Sequence, residues 1–488
     1  MDLFPIPSFP PSAILPRPWP GINPESTAAL REVLNDNHKR WFIFFNDRNL
    51  HNHCAHHAIA NWAFGGSADI IKAGYQKDSA IQRAAFDSPK DINLENFKDH
   101  IGDRNYYGGY LTFFTNAVRE HGIAATIERY VFTEDMNIDP SADHNPYVFN
   151  RLLGGVFHPM IHVGYGLEFG LPGMVIEGLA QTVVHADNAT AAIPDGFFNY
   201  ANVKSLEDNT LSRLESLVVS EESSTKKSDG VHAFTVLQRI LDDPELGKAK
   251  DIENPLAAFQ DIMKVHRDTL TKHMSDWYVD VTKPFEVERK IEELSWVNVL
   301  IYAVGGWAES KEFNADFLHM HMVTSSIFLA AYAAYLKPSS QEQLLRAYFL
   351  VSLGWWVSRG RAALDIDGFY AGTSAHPQPS GPLPTPHEKA LGGIVTPNAW
   401  LPIIESSIVH PDDHVSKIQR TFAHYNTLYG TRESGRQDFS TTQLRGAEKL
   451  DGSLFIRAAG LTAQQIGRVR EGEPPVFWSF DGFFESNT

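Results

Sequence analysis

The chain has 488 residues, a formal net charge of −17 at pH 7 and 43% hydrophobic residues, so it is long enough to bury a large core. The acidic balance argues against nucleic acid or an anionic membrane as a partner, because both require a basic surface. The single cysteine, Cys54, excludes an internal disulfide, an iron–sulfur cluster and a cysteine-bound zinc site, and it favours a reducing, cytoplasmic location.

Helical periodicity dominates the chain from beginning to end. Residues 1–24 are apolar and rich in proline but lack the basic start of a signal peptide, which predicts an extended arm. Residues 25–488 are expected to form one large catalytic unit, all-α or predominantly α: an irregular helical bundle with few short strands. The predicted helices are 25–35, 54–64, 110–121, 255–275, 287–308, 315–336, 341–359 and 411–428.

Two segments interrupt this helical pattern. Residues 205–252 begin helical, pass through a stretch of Ser, Glu and Lys, and are predicted to form a surface excursion. Residues 376–388 are rich in proline and are predicted to form a long loop. The most apolar run, 322–336, is interrupted by Ser and Thr and falls short of the roughly 18 residues that a membrane span requires.

Histidine is the most informative residue type, because its 21 copies include four tight clusters. The clusters are HNHCAHH at 51–57, HPMIH at 158–162, HMH at 319–321 and HPDDH at 410–414. A buried imidazole is costly unless it finds a hydrogen-bond partner or a metal ion. A single histidine is usually just a core or surface residue, whereas four clusters without a cysteine site favour a histidine-bound metal. Zinc, iron and copper all suit imidazole.

The spacing of the histidines reduces the number of candidate metal ligands in each cluster but does not identify a single one. On a helix, His53, His56 and His57 share about a third of one face. In both HPxxH segments, the proline is expected to begin a helix whose fourth residue is the second histidine, while Asp412 and Asp413 are interpreted as caps. Of the HMH pair, His321 lies on the more apolar stripe and is predicted to be the buried one.

Lys417 follows His414 by one helical turn. Its ordinary interpretation is a solvated lysine, and the alternative is a lysine carboxylated by carbon dioxide, which would supply an anionic oxygen to a histidine site. Glu168 and Tyr165 are the candidate catalytic residues near His162; for Glu168 an ordinary helix-end carboxylate is the competing interpretation. GYGLEFG at 164–170 does not match a dinucleotide loop, and no βαβ pattern surrounds it.

Several of these segments together resemble the questin oxidase-like family of fungal tailoring enzymes. The resemblance is carried by HNHCAHHAIANWAFGG (51–66), NYYGGYLTFF (105–114), FHPMIHVGYGLEF (157–169), LHMHMVTSSIFL (318–329) and HPDDHVSKIQRTF (410–422). It implies an oxidoreductase, a ring-cleaving mono- or dioxygenase of Baeyer–Villiger type. Such an enzyme uses dioxygen to cleave a C–C bond of an anthraquinone-type polyketide in secondary metabolism.

The resemblance also implies a non-haem Fe(II) centre held by histidines and a carboxylated lysine. One histidine from each cluster is assigned: His56, His162, His321 and His414, with Lys417 as the carboxylated ligand. His53, His57, His158 and His410 are the alternative ligands or hydrogen-bond partners of ligands. NADPH is the candidate reductant, and the residues predicted to contact the flat aromatic substrate are Tyr106, Tyr107, Trp355 and Trp356.

Three other functions fit part of the sequence. A zinc hydrolase with a carboxylated lysine would use similar ligands, and its HMH motif would normally lie on a barrel strand. A metal-free, NAD(P)H-dependent Baeyer–Villiger-type oxidase would use the histidines as acids and bases. A non-catalytic helical scaffold would bind no metal stoichiometrically.

Overall fold

The computed structural model of the chain describes residues 1–141, 144–195, 230–247, 253–381, 385–391 and 396–484. All regular secondary structure in these ranges is helical, so the predicted all-α class is confirmed. In place of the few short strands that we expected, the described residues form only isolated bridges: Trp41 with Ala84, Phe44 with His51, and Asp316 with Ser479.

The α-helices are numbered here in chain order. They are α1 Pro24–Arg40, α2 Cys54–Ala63, α3 Ala68–Ser79, α4 Tyr107–His121, α5 Ile123–Ile127, α6 Val148–Leu152, α7 Gly154–Phe169, α8 Pro172–Val184, α9 Ala233–Asp242, α10 Pro255–His273, α11 Glu286–Ala303, α12 Phe317–Ser326, α13 Leu329–Tyr335, α14 Pro338–Ser358, α15 Ile366–Gly372, α16 Trp400–Ile408, α17 Asp413–Tyr429, α18 Gln437–Ser440 and α19 Leu454–Ile466. A π-helical turn, Glu128–Phe132, follows α5.

Every predicted helix is present, and two differ from the prediction in a way that affects the site. The predicted helix 315–336 is divided into α12 and α13 around Ile327 and Phe328. The predicted helix 411–428 begins only at Asp413, because Asp412 occupies the N-cap position and accepts a hydrogen bond from the backbone N–H of His414. His414 is therefore the second residue of α17. The prediction, which began the helix at the proline, made it the fourth.

Four helices surround the site as a closed ring of neighbours. Helix α2 packs against α7, α7 against α12, α12 against α17, and α17 against α2. Helices α8 and α11 cover this group from outside by packing on α7 and α12 respectively. Each of the four inner helices carries one of the histidine clusters or its flanking residues.

Residues 1–23 contain no helix and lie against the bundle through buried side chains such as Phe4 and Leu15. The predicted excursion 205–252 lies largely outside the described residues. Its described part, 230–247, contains α9. The described residues of the proline-rich stretch 376–388 carry no helix. One helical stretch in the described ranges, Phe317–Tyr335, is long and apolar enough to cross a membrane, and most of it is buried in the bundle.

Candidate metal centre

Four imidazoles, one from each inner helix, meet in a closed ring. The centroid distances around this ring are 4.9 Å for His53–His158, 4.7 Å for His158–His321, 5.2 Å for His321–His414 and 4.9 Å for His414–His53. We call these residues the four-histidine cluster. His158, His321 and His414 are buried, and the side chain of His53 is 15% exposed.

The Nδ1 atom of each cluster histidine faces an oxygen. These contacts are His53 to Asp413 Oδ2 at 3.0 Å, His158 to the Gly155 carbonyl at 2.5 Å, His321 to the Phe317 carbonyl at 2.7 Å and His414 to Asp412 Oδ1 at 2.8 Å. Because carbonyls and carboxylates only accept, each Nδ1 carries the proton and each Nε2 keeps a lone pair. Within the described part of the chain, Nε2 of His53, His321 and His414 is buried without a hydrogen-bond partner.

This arrangement matches the way proteins prepare histidine for a metal ion. A ligating imidazole usually donates its second nitrogen to a carboxylate or a backbone carbonyl, which fixes both the tautomer and the ring. Donor atoms of His53, Asp413 and His414 lie within 4.8 Å of one another, as do those of His51, His53 and His158. Ligand nitrogens around one ion at about 2.1 Å are roughly 3–4 Å apart, so small side-chain rotations suffice. The residues fit a bound metal ion.

A strained turn fixes the position of His158. Gly155, Val156 and Phe157 all have left-handed backbone angles, with φ of 52°, 57° and 65°. Left-handed angles are unfavourable for a β-branched valine, and such strain tends to occur at functional sites. The turn presents the Gly155 carbonyl to Nδ1 of His158, and a Cβ on Gly155 would lie 2.4 Å from the His185 ring.

Burial favours the neutral form of three of the four cluster rings, as metal ligation requires. Burial lowers the pKa of His53 to about 4, with Lys417 adding to the effect. Burial also lowers the pKa of His158 and His321 well below the usual value, and neighbouring imidazoles contribute. Burial alone would raise the pKa of Asp412, but its contacts with His414 lower it to about 2. The cluster thus combines three rings held neutral by burial with a charged carboxylate behind the fourth.

Lys417 and Asp413 lie at the edge of the cluster. Asp413 forms a close ion pair with Lys417, one turn further along α17, and the same carboxylate contacts His53. The side chain of Lys417 is only 5% exposed, so its interpretation as a solvated lysine does not hold. Asp413 had been interpreted as a cap, yet Asp412 alone caps α17 in the structure. The i, i+4 spacing of an acid and a lysine was the sequence signal for this pair.

His56 and His162 take part in a different network. Nε2 of His162 donates to Glu177 at 2.8 Å, so its Nδ1 accepts from Nε2 of His56 at 3.0 Å. The other Glu177 oxygen accepts from His38 at 2.6 Å. Both nitrogens of His162 are therefore used by protein groups. The assignment of His56 and His162 as ligands stays a prediction, and these hydrogen bonds do not favour it.

The carboxylate at the centre of this network makes stability depend on pH. Burial alone would raise the pKa of Glu177, but hydrogen bonds from His162 and His38 lower it to about 2. A carboxylate with a depressed pKa stabilises the fold above its unfolded pKa and loses that effect as the pH falls. Between pH 4.5 and 2 the loss from this one group is roughly 3 kcal/mol.

We therefore expect Glu177→Gln to lower the free energy of unfolding at pH 7 and to flatten its decline below pH 4.5. Urea unfolding of both proteins across pH 2–7 measures this. Glu388→Gln, an exposed carboxylate in the proline-rich loop, is the control and should follow the wild-type curve. Parallel curves for wild type and Glu177→Gln would contradict the assignment of the depressed pKa.

The other predicted histidines lie close by but outside the cluster. Nδ1 of His57 donates to the Asp78 carboxylate at 2.7 Å, and the Nδ1 atom of His410 accepts from the backbone N–H of Asp412 at 3.0 Å. His410 thus supports the turn that precedes α17. His319, the unchosen member of the HMH pair, is as buried as His321 and stacks on Phe483, so the expectation that only His321 is buried is wrong.

Tyr165 and Glu168 lie about one and two turns beyond His162 along α7. Both oxygens of Glu168 pair with Arg420, at 2.6 and 3.0 Å, so the carboxylate is engaged in a buried ion pair. Tyr165 stacks on His56 at 5.0 Å, and burial raises its pKa. Their catalytic roles stay predictions, and for Glu168 the structure offers a structural partner.

The aromatic residues proposed from the sequence pack elsewhere in the bundle. Tyr106 stacks on His100, Tyr107 lies against Phe42, Trp355 stacks on Phe259, and Trp356 donates to the Ala362 carbonyl. The rings that contact the cluster are different. Phe317 lies 4.6 Å from His321 and 5.0 Å from His414, and Phe480 lies 4.7 Å from Phe317. Phe480 is 51% exposed, so this aromatic edge connects the cluster with solvent.

Two further histidines extend the cluster and were not predicted. His51 stacks on His158 at 4.0 Å and shares a 3.0 Å Nε2–Nε2 hydrogen bond with His185. Because His185 Nδ1 donates to the Ala186 carbonyl, His51 is the donor in that bond. His51 belongs to the first histidine cluster, whereas His185 stands alone in the sequence and gave no signal.

The fold and the site define an all-helical protein with a buried, histidine-rich group able to hold a metal ion. The sequence profile of the questin oxidase-like family matches residues 50–422, and the chain belongs to that family. The match includes all four cluster histidines, Asp413 and Lys417.

Individual relatives agree with the family assignment. The chain is 25% identical to the Baeyer–Villiger oxidase ptaJ of Pestalotiopsis fici, over 85% of this chain and 84% of that protein. It is 25% identical to the Baeyer–Villiger oxidase mdpL of Emericella nidulans, over 85% of both chains. It is 22% identical to the questin oxidase of Aspergillus terreus, over 83% of this chain and 82% of that protein.

Proposed function

We propose that the protein is a non-haem iron-dependent oxygenase that cleaves a C–C bond of an anthraquinone-type (hydroanthraquinone) ring in fungal polyketide metabolism. The observation that carries the proposal is the closed ring of four imidazoles, three of them buried, whose Nδ1 atoms all face protein oxygens. The names of the relatives, questin oxidase and Baeyer–Villiger oxidase, support an oxidative reaction on such a substrate.

The ligands in this proposal are His53, His158, His321 and His414. His53 and His158 replace His56 and His162, because they close the ring with His321 and His414, whereas both nitrogens of His162 are engaged and Nε2 of His56 donates to His162. A ferrous ion held by these imidazoles would supply dioxygen activation. The protein holds the rings in one tautomer, and Asp412, Asp413 and two backbone carbonyls accept the Nδ1 protons.

The substrate is proposed to approach along the aromatic edge formed by Phe317 and Phe480. Phe317 touches two of the four ligands, and Phe480 continues the apolar surface outward to solvent. A flat polycyclic ring gains binding energy from offset stacking on such side chains. The buried side of the cluster, closed by α7 and α12, excludes water from the reacting ring carbon.

The decisive experiment combines metal analysis with oxygen uptake. We expect elemental analysis to find about one iron per chain after anaerobic reconstitution with Fe(II). With a reduced anthraquinone, the iron-loaded protein should then consume dioxygen and give a ring-opened product by mass spectrometry. The zinc-loaded protein serves as the matched control and should be inactive. Stoichiometric zinc with no oxygen uptake would favour the zinc hydrolase instead.

Lys417 is proposed to be carboxylated and to supply the anionic ligand. Its nitrogen lies at the edge of the cluster, since its charge acts on His53, His56 and His321, and it is buried. Carboxylation would replace its ion pair with Asp413, whose carboxylate is the competing anionic ligand.

We expect Lys417→Ala to weaken metal binding by about 10–100-fold, because the only anionic ligand in this assignment is lost. Added acetate or propionate should restore part of the affinity by filling the vacated space with a carboxylate. Metal binding by the wild type should also weaken in buffer freed of carbon dioxide and bicarbonate. Equilibrium dialysis against Fe(II) under anaerobic conditions measures both effects.

Asp413→Asn is the comparison that separates the two anionic ligands. If Asp413 were the ligand, this variant would lose metal, while Lys417→Ala would retain it and show no rescue by carboxylates. That combination, with no effect of bicarbonate on the wild type, would disprove carboxylation of Lys417.

A further inference from the structure

The C-terminal segment contacts two of the proposed ligand helices at once. The backbone of Ser479 donates to the Ala315 carbonyl at 3.0 Å and accepts from the N–H of Phe317 at 2.9 Å, at the start of α12. One residue earlier, the indole N–H of Trp478 donates to Asp412 Oδ2 at 3.0 Å, at the start of α17. These segments precede His321 and His414 respectively. Residues 478–483 are called the C-terminal strap below.

Further contacts hold the strap in place. The backbone N–H of Phe483 donates to the Arg359 carbonyl at 2.8 Å, and the Gly482 carbonyl accepts from Asn314 at 2.9 Å. Arg359 forms a buried ion pair with Asp316, the residue that caps α12. The strap is therefore attached to the core at several points around the N-terminus of α12.

Trp478 contacts the metal centre through one intermediate residue. Asp412 uses Oδ1 to accept from Nδ1 of His414 at 2.8 Å and Oδ2 to accept from Trp478. Without the indole donor, Oδ2 of Asp412 would lose this partner, and the carboxylate would be held through Oδ1, which accepts from the backbone N–H and from Nδ1 of His414. The acceptor that orients the His414 ring would then be fixed at one oxygen instead of two. Trp478 is buried, at 3% exposure, and its ring lies 6.4 Å from that of His414.

We infer that Trp478 is a positioning residue for the metal centre, which acts through Asp412 on His414 while the strap ties α12 to α17. The inference rests on the proposed function and adds a residue to it that lies beyond the 50–422 match to the family. Outer hydrogen-bond partners of metal ligands typically change metal affinity by about 10–100-fold, so the effect is large enough to measure.

The test measures binding of Co(II) alone to the full-length protein by competition with a chelator. We expect Trp478→Phe, which keeps a large ring but removes the donor, to bind Co(II) about 10-fold or more weakly and to change its visible d–d spectrum. The matched control is Trp277→Phe, because Trp277 also donates its indole N–H to a buried carboxylate, Glu293 at 2.7 Å. The control should keep the wild-type affinity within about twofold and the wild-type spectrum.

A double-mutant cycle tests whether the effect passes through Asp412. Asp412→Asn places an amide N–H opposite the indole N–H and so breaks the same contact from the other side. It therefore tests this contact even if Trp478→Phe folds poorly. In the double variant, the loss of affinity should be no larger than in Asp412→Asn alone. Full additivity, or a Trp478→Phe affinity equal to that of Trp277→Phe, would overturn the inference. Wild-type protein that binds no Co(II) would overturn the proposed metal centre itself.

Discussion

His158→Ala is expected to abolish stoichiometric metal binding, whereas His162→Ala, four residues along the same helix, is expected to retain it. His158 faces His53 and His321, and its Nδ1 proton is fixed by the Gly155 carbonyl, so its Nε2 keeps a lone pair for a metal ion. His162 is engaged on both sides by His56 and Glu177.

The loss of stability should instead be larger for His162→Ala than for His158→Ala. Loss of His162 leaves the buried Glu177 carboxylate with one donor fewer, which costs about 1–3 kcal/mol. Loss of His158 removes a neutral ring that stacks at the edge of the site, with a smaller expected cost. Elemental analysis measures the metal content of the two variants. Urea unfolding of the metal-free proteins measures their stability independently. Retention of metal by His158→Ala together with its loss in His162→Ala would restore the assignment of His162 as the ligand.

The sequence identified the histidine-rich segments that meet in the structure, but it could not choose among neighbouring histidines. His53, His56 and His57 share a helix face, so periodicity gives all three the same direction. What separates them is which nitrogen each ring has left after pairing, and the partners come from distant segments: Asp413, His162 and Asp78. No local pattern predicts such pairings, since they depend on how the helices pack.

The second HPxxH segment shows a related limit. Its helix was expected to begin at the proline, but the side chain of Asp412 offers a better cap two residues later and moves the start of α17 to Asp413. This shift directs Asp413 toward His53 and Lys417 instead of toward the helix end. The left-handed turn at 155–157 could not be predicted from the sequence either, because valine and phenylalanine rarely adopt such backbone angles.

The helical class and the eight helices named from the sequence could be predicted because apolar periodicity is a local property, whereas helices such as α3, α8 and α19 were not among those predicted. Aromatic residues were less informative, since the four chosen from the sequence proved to pack into other parts of the bundle. Trp478 carried no signal, because it lies in an irregular segment and its contact with Asp412 joins residues far apart in the sequence. The strap thus became visible only through three-dimensional contacts.

The largest effect on stability is expected from the buried pair of Glu168 and Arg420. This pair joins α7, which carries His158, to α17, which carries His414, and both side chains are almost fully buried. Burial raises the pKa of Glu168 even though Arg420 opposes the effect, which indicates that the carboxylate pays a substantial desolvation cost. Such a pair adds little net stability, but removing one partner leaves an uncompensated charge.

We therefore expect Arg420→Met to lower the free energy of unfolding by about 3–5 kcal/mol at pH 8. The loss should shrink as the pH falls, because Glu168 without Arg420 has a folded pKa further above its unfolded value. A group with a raised folded pKa stabilises the fold at low pH and loses that contribution as the pH rises through it. Urea unfolding at pH 5 and pH 8 measures the difference.

The double variant Glu168→Leu/Arg420→Met separates the charge from the packing. Replacing both partners with apolar side chains removes the unpaired carboxylate, so the double variant should be more stable than Arg420→Met alone and nearly independent of pH over this range. A double variant as unstable as the single one would instead assign the loss to packing of the arginine against Tyr165, Phe169 and Phe328. Metal content of the double variant then shows whether Glu168 matters to the centre beyond holding α7 and α17 together.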